Sequence, residues 1–116
     1  MIRKEMDIQH KFVEHLKGGN GTVEIISSIQ SDDHDSHLNL LARLILKPGC
    51  SLGQHRHDGE EEIVTILSGT ALYNDNGSPI VLKAGDVCIC RNGQEHGIGN
   101  ASPTEDLEIF ACVNEL

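Results

Sequence analysis

Tryptophan is missing from this chain, and the remaining aromatic residues come to three, Phe12, Tyr73 and Phe110. A surface that stacks nucleic acid bases needs several exposed rings, so that class of protein is excluded and the core falls to Ile, Leu and Val. Positive charge is equally scarce, since 9 basic residues against 18 acidic ones give a formal net charge of −9. Such a surface repels phosphate backbones and anionic membranes, which removes nucleic acid and the membrane as expected partners. No run of about 18 apolar residues is present to span a bilayer. The opening residues MIRKEMDIQH lack the apolar centre of a secretory signal, and a cytoplasmic protein is expected. Cys50, Cys88, Cys90 and Cys112 do not have the spacing of a small disulfide scaffold, and they read as reduced, mostly buried thiols.

A convincing helical repeat is lacking as well, and what fills the chain instead is short strands. At 116 residues it is one domain. Residues 1–21 read as a partly flexible arm, with Phe12, Val13 and Leu16 spaced for a helical turn and GGNG as a loop. Residues 22–116 form a single barrel domain. Within it Thr22 to Ile29, Leu38 to Lys47, Ile63 to Leu67, Thr70 to Tyr73, Ile80 to Leu82, Val87 to Cys90 and Asp106 to Val113 are apolar or β-branched stretches separated by turn signals. The NDNG at Asn74 to Gly77 predicts a tight hairpin, because asparagine and glycine accept the positive φ of a primed turn. Even spacing of short strands indicates an all-β barrel or sandwich. The polar loop Gln30 to His37 carries His34 and His37, which read as solvated.

The stretch Gly49 to Gly69, GCSLGQHRHDGEEEIVTILSG, holds the chemistry. His55 and His57 lie two apart, so on an extended strand both rings point to one face. Two imidazoles followed by a carboxylate begin a metal site, with Glu60, Glu61 and Glu62 as the available carboxylates. His96 lies in a second glycine-bounded stretch, GDVCICRNGQEHGIGN, that a fold can bring beside them.

These stretches resemble the two motifs of the cupin superfamily, G(x)5HxH(x)3,4E(x)6G and G(x)5PxG(x)2H(x)3N. The first fits from Gly49 through His55, His57 and Glu62 to Gly69, and the second from Gly85 through Gly93 and His96 to Asn100. Arg91 stands at the usual proline. The resemblance implies a jelly-roll barrel, the double-stranded β-helix, with metal held by the residues at His55, His57, Glu62 and His96. Counting back from Gly69 selects Glu62, which on a regular strand shares a face with Val64 and Ile66.

Three imidazoles and one carboxylate suit a single divalent transition metal per chain, Fe or Mn ahead of Ni, Zn, Cu and Co, with two positions left for a chelating small molecule. The expected function is a mononuclear metal-dependent enzyme of oxygenase type. The alternatives are a metal-dependent isomerase, lyase or decarboxylase, or a cupin that binds or senses a ligand without turnover. Tyr73 and Arg91 are the candidates for catalytic side chains. Cys88 and Cys90 share a face and read as core fillers. A homodimer is expected, with Thr22 to Ile29 as the strand offered to a partner.

Overall fold

The computed structural model describes all 116 residues. Ten strands run in chain order: β1 (His10–Glu14), β2 (Thr22–Ser27), β3 (Leu38–Leu46), β4 (Ser51–Arg56), β5 (Glu60–Ser68), β6 (Thr70–Asp75), β7 (Ser78–Lys83), β8 (Val87–Cys90), β9 (Glu95–Asn100) and β10 (Leu107–Glu115). They form two antiparallel sheets, one ordered β1-β2-β3-β10-β5-β8 and the other β4-β9-β6-β7. The jelly-roll expectation holds. Helix is confined to two 3-10 turns, Glu5–Asp7 and Leu16–Gly18.

Alternation writes the core. Along β10 every second residue, Leu107, Ile109, Ala111 and Val113, is buried, and the same period buries Ala42, Leu44 and Leu46 on β3 and Val64 and Ile66 on β5. These side chains meet Ala71 and Tyr73 of β6 and Ile98 of β9 in one cluster between the sheets. Each fully buried Leu, Ile or Val contributes on the order of 1.5–3 kcal/mol. The NDNG hairpin forms as expected, with Asp75 paired to Ser78 and the two loop residues Asn76 and Gly77 at φ 51° and 97°.

Three expectations are corrected. The helical turn read from Phe12, Val13 and Leu16 is absent, because His10–Glu14 is extended and pairs along its length with β2. Backbone pairing to an existing sheet outweighs a weak local helical spacing. As a result β2 lies between β1 and β3 and has no free edge to offer a partner; the free edges belong to β1, β8, β4 and β7. Of the four thiols only Cys90 is buried, while Cys50, Cys88 and Cys112 are half-buried.

The segment after β1 is fastened to β4 by direct backbone contact. A Cβ on Gly19 would stand 2.0 Å from the Ser51 carbonyl oxygen, and one on Gly53 would stand 2.1 Å from the Lys17 carbonyl oxygen. Only hydrogen at both positions permits this approach. The Asn20 amide donates to Ser51 Oγ at 3.0 Å and the Ser51 amide donates to the Asn20 carbonyl at 2.9 Å. Gly53→Ala is therefore expected to destabilise the protein by about 1–3 kcal/mol and to open the Lys17 peptide to trypsin. Thermal melts with limited proteolysis would measure both, and a wild-type melt with wild-type protection would refute the contact.

Candidate metal centre

Four donor side chains converge between the sheets, from three strands and the end of one of them. β4 brings His55, and His57 follows its last residue; β9 brings His96, paired directly opposite His55; β5 brings Glu62 from the facing sheet. The inward parity expected for Glu62 holds, since it is buried together with Val64 and Ile66. The pairing of β4 with β9 slips between Leu52 and His55, where Gly53 and Gln54 face a shortened partner. A bulge of this kind re-aims the following side chain. One ligand atom from each of His55, His57, Glu62 and His96 lies within 4.8 Å of the others.

The separations test whether a metal ion fits. Nε2 of His57 is 3.0 Å from Nε2 of His96, and Glu62 Oε1 is 3.1 Å and 2.8 Å from the same two nitrogens. Right-angled bonds of about 2.1 Å to one ion put neighbouring donors roughly 3.0 Å apart. The group can hold a metal, and its three edges have the length that an octahedral ion needs.

Each imidazole is oriented by a hydrogen bond at its other nitrogen. His55 Nδ1 donates to the Gly53 carbonyl at 2.7 Å, His57 Nδ1 to Glu60 Oε1 at 2.9 Å, and His96 Nδ1 lies 2.9 Å from the Tyr73 hydroxyl. A hydrogen-bond partner at Nδ1 on the outer side turns each Nε2 toward the common centre, which is the usual way that ligating histidines are set.

Proton equilibria follow from this packing. Burial lowers the pKa of His55, with the carbonyl of Gly53 and the charge of Glu62 opposing it. His57 is raised, chiefly by its hydrogen bond to Glu62 and also by Glu60, against the effect of burial. Burial alone would raise Glu62, yet hydrogen bonds and charge from His57 and His96 outweigh it and hold the carboxyl at about 2. Without a metal, the carboxylates of Glu62 and Glu60 on either side of His57 favour its protonated form. Cys88 and Cys90 are both pushed up to about 11 by burial first, so they remain neutral thiols beside the site.

The remaining predicted residues are placed unevenly. Tyr73 is buried and reaches His96 from behind, and burial raises its phenol well above the usual range. Arg91 is exposed and lines a separate depression with Glu61, Asn92, Gln94 and Leu116. His34 and His37 line another, away from the cluster. The cavity that reaches the cluster, about 250 Å³, is bounded by Leu16, Lys17, Leu40, Leu52 and Val113 among others, and by His55, His57, Glu60 and Glu62. Sequence reasoning passed over Glu60, setting it aside for Glu62 among the three carboxylates, and Lys17, which lay within the partly flexible arm. Strand alternation places Glu60 on the face of β5 that carries Glu62, whereas Lys17 lies in a turn that no periodicity marks.

Comparison with known proteins supports the same outline. The cupin domain family matches residues 42–113. An oxalate-binding protein of Thermotoga maritima is 37% identical over 113 residues, 97% of this chain and 93% of that protein. A crystal structure from the same organism, described as a predicted oxalate decarboxylase, superposes with a TM-score of 0.92 at 36% identity and covers all of both chains. A cupin 2 conserved barrel protein of Salinispora arenicola, at 22% identity and a TM-score of 0.69 over 80% of this chain and 76% of that one, shares the fold.

Metal uptake competes with protonation of His57, whose pKa is raised above the ordinary 6.5. Below that raised pKa the imidazolium cannot ligate, and above it the neutral ring can, so affinity rises as pH climbs through it. Titration of metal-free protein with Mn(II), in buffers of differing ionisation enthalpy between about pH 6 and 8, is expected to show proton release of about one per ion at the acid end. An affinity independent of pH across that span would overturn the assignment of His57.

Proposed function

This chain belongs to the cupin family, and we propose that it binds a small dicarboxylate of the oxalate class on one divalent metal held by His55, His57, Glu62 and His96. The observation that carries the reading is the three-imidazole, one-carboxylate cluster, of which His55, His57 and Glu62 line a half-apolar cavity, seen together with a relative named for oxalate binding. Mn or Fe suits this donor set ahead of Ni, Zn, Cu or Co. On a six-coordinate ion a four-donor set would leave two positions, which the two oxygens of a 1,2-dicarboxylate would fill as a chelate. The metal supplies Lewis acidity toward the carboxylate oxygens. Leu40, Leu44, Leu52 and Val113 line the cavity and limit competing water, which strengthens the electrostatic attraction inside it. A location in the cytoplasm belongs to the same proposal.

Decarboxylation is the second reading, favoured by the description of the closely superposing Thermotoga maritima structure. Releasing CO2 from oxalate leaves a carbanion equivalent that must take up a proton to become formate. Within the cavity Glu60 is the carboxyl outside the ligand cluster that is placed for this, 2.9 Å from His57 Nδ1. Oxygenase chemistry, drawn from the donor set alone, would consume dioxygen instead. Calorimetry with Mn(II)-loaded protein is expected to show one oxalate bound per chain, and binding should vanish in the His57→Ala, His96→Ala double variant. The same samples should be assayed for formate, CO2 and dioxygen uptake. Binding without any product supports the binding reading, product assigns the reaction, and absence of oxalate binding by metal-loaded wild type refutes the proposal.

The partner surface is proposed to be a second copy of this chain. Ile63, Leu67, Val87 and Ile89 on β5 and β8 are exposed apolar residues beside a free sheet edge. Light scattering at micromolar protein is expected to give twice 12.6 kDa. A monomer mass at that concentration, or a dimer unaffected by Val87→Lys with Ile89→Lys, would count against this face.

A further inference from the structure

We propose that Lys17 selects a dianion for this site by holding the outward oxygens of a dicarboxylate whose inner oxygens are chelated, an inference that rests on the reading above. Among the twelve residues lining the cavity Lys17 is the one lysine or arginine. It takes part in none of the ion pairs of the protein. The carboxylates of Glu60 and Glu62 line the same cavity and the chain as a whole carries −9, so an entering dianion meets repulsion that a fixed cation offsets.

The backbone at this residue takes a conformation that few residues with a Cβ adopt. Lys17 has φ 54° and ψ 30°, inside the left-handed region, and His15 two residues earlier has φ 52°. L-residues with a Cβ resist this conformation, and glycine or asparagine would occupy it more readily. The turn is nevertheless held by several bonds. The Gly18 amide donates to the His15 carbonyl at 2.9 Å, the Gly19 amide to the Leu16 carbonyl at 3.0 Å, and His15 Nδ1 pairs with the Gly19 carbonyl at 3.1 Å. Gly53 then packs its Cα face on the Lys17 carbonyl. The carbonyl of Gly53 is also the acceptor that orients His55. One residue of β4 thus positions both a metal-ligand candidate and the turn that carries the cation. Strain held in place at a cavity rim points to function rather than to packing.

A chelated 1,2-dicarboxylate turns two oxygens toward the ion and two away from it. An ammonium on the rim can donate to the outward pair, whereas acetohydroxamate, which also chelates through two oxygens, offers no outward carboxylate. In Mn(II)-loaded protein, Lys17→Met is expected to weaken oxalate on the order of tenfold, with Mn(II) stoichiometry and acetohydroxamate affinity unchanged. Lys17→Arg should recover most of the oxalate affinity. Lys17→Gly should lose oxalate affinity to the same extent while melting no lower than wild type, since glycine relieves the left-handed residue. Oxalate affinity equal to wild type in Lys17→Met, or equal loss of both ligands, would overturn the role of Lys17 while leaving the metal site standing. Failure of the metal-loaded wild type to bind oxalate would overturn the reading of the site, and the role of Lys17 with it.

Discussion

A carboxylate sealed inside an apolar barrel is the constraint on which this structure turns. Glu62 is 6% exposed and sits in an inward row with Val64 and Ile66. An unpaired buried carboxylate would cost several kcal/mol or take up a proton. Here the hydrogen bonds of His57 and His96 reverse that tendency and keep Glu62 ionised to about pH 2. The sign follows directly: the depressed carboxyl adds stability above its unfolded pKa and loses it as pH falls toward 2. The raised His57 adds stability below its ordinary 6.5 and loses it as pH climbs through its folded value. Metal-free protein thus gains most from this pair between those limits, where both partners are charged.

Keeping that carboxylate paired demands register. Glu62 lies between Val113 of β10 and Cys90 of β8, while His55 lies opposite His96 on the other sheet. A one-residue slip of β5 would turn Glu61 inward and send Glu62 to the outer face. The central position of β10, paired on both sides by nine-residue strands, resists such a slip. The stability of the sheet and the geometry of the donor set therefore have the same origin.

Alternation and turn chemistry were the parts legible in the sequence. The inward parity of β5, the Asn76-Gly77 turn and the glycine-bounded spacing of the histidines all depend on residues close in the chain. What was missed depends on encounters between distant ones. β1 forms because β2 offers it an edge, and nothing in HKFVE announces that partner. β9, EHGIGN, has two glycines and one β-branched residue, so its propensity is poor; Gly97 and Gly99 are accepted because Gln54 and Ser51 approach so closely there. Glu60 shares the inward face of β5 with Glu62, but its pairing with His57 depends on the Asp58-Gly59 turn between them.

The fold leaves the reaction open, since jelly rolls that share it at low identity need not share chemistry. The distribution of protons narrows the choice. Tyr73 is tied to His96 with its phenol raised by burial, and Cys88 and Cys90 are neutral thiols well above neutral pH. None of these three lines the cavity. Outside the donor cluster the ionisable groups that do line it are Glu60 and Lys17, one already bonded to His57 and the other a cation. Binding a chelating dianion needs the cation alone. Protonating a carbon centre needs Glu60 to release its hold on His57. On the proposed reading, Lys17 serves recognition directly, and Glu60 serves turnover only after a rearrangement at His57.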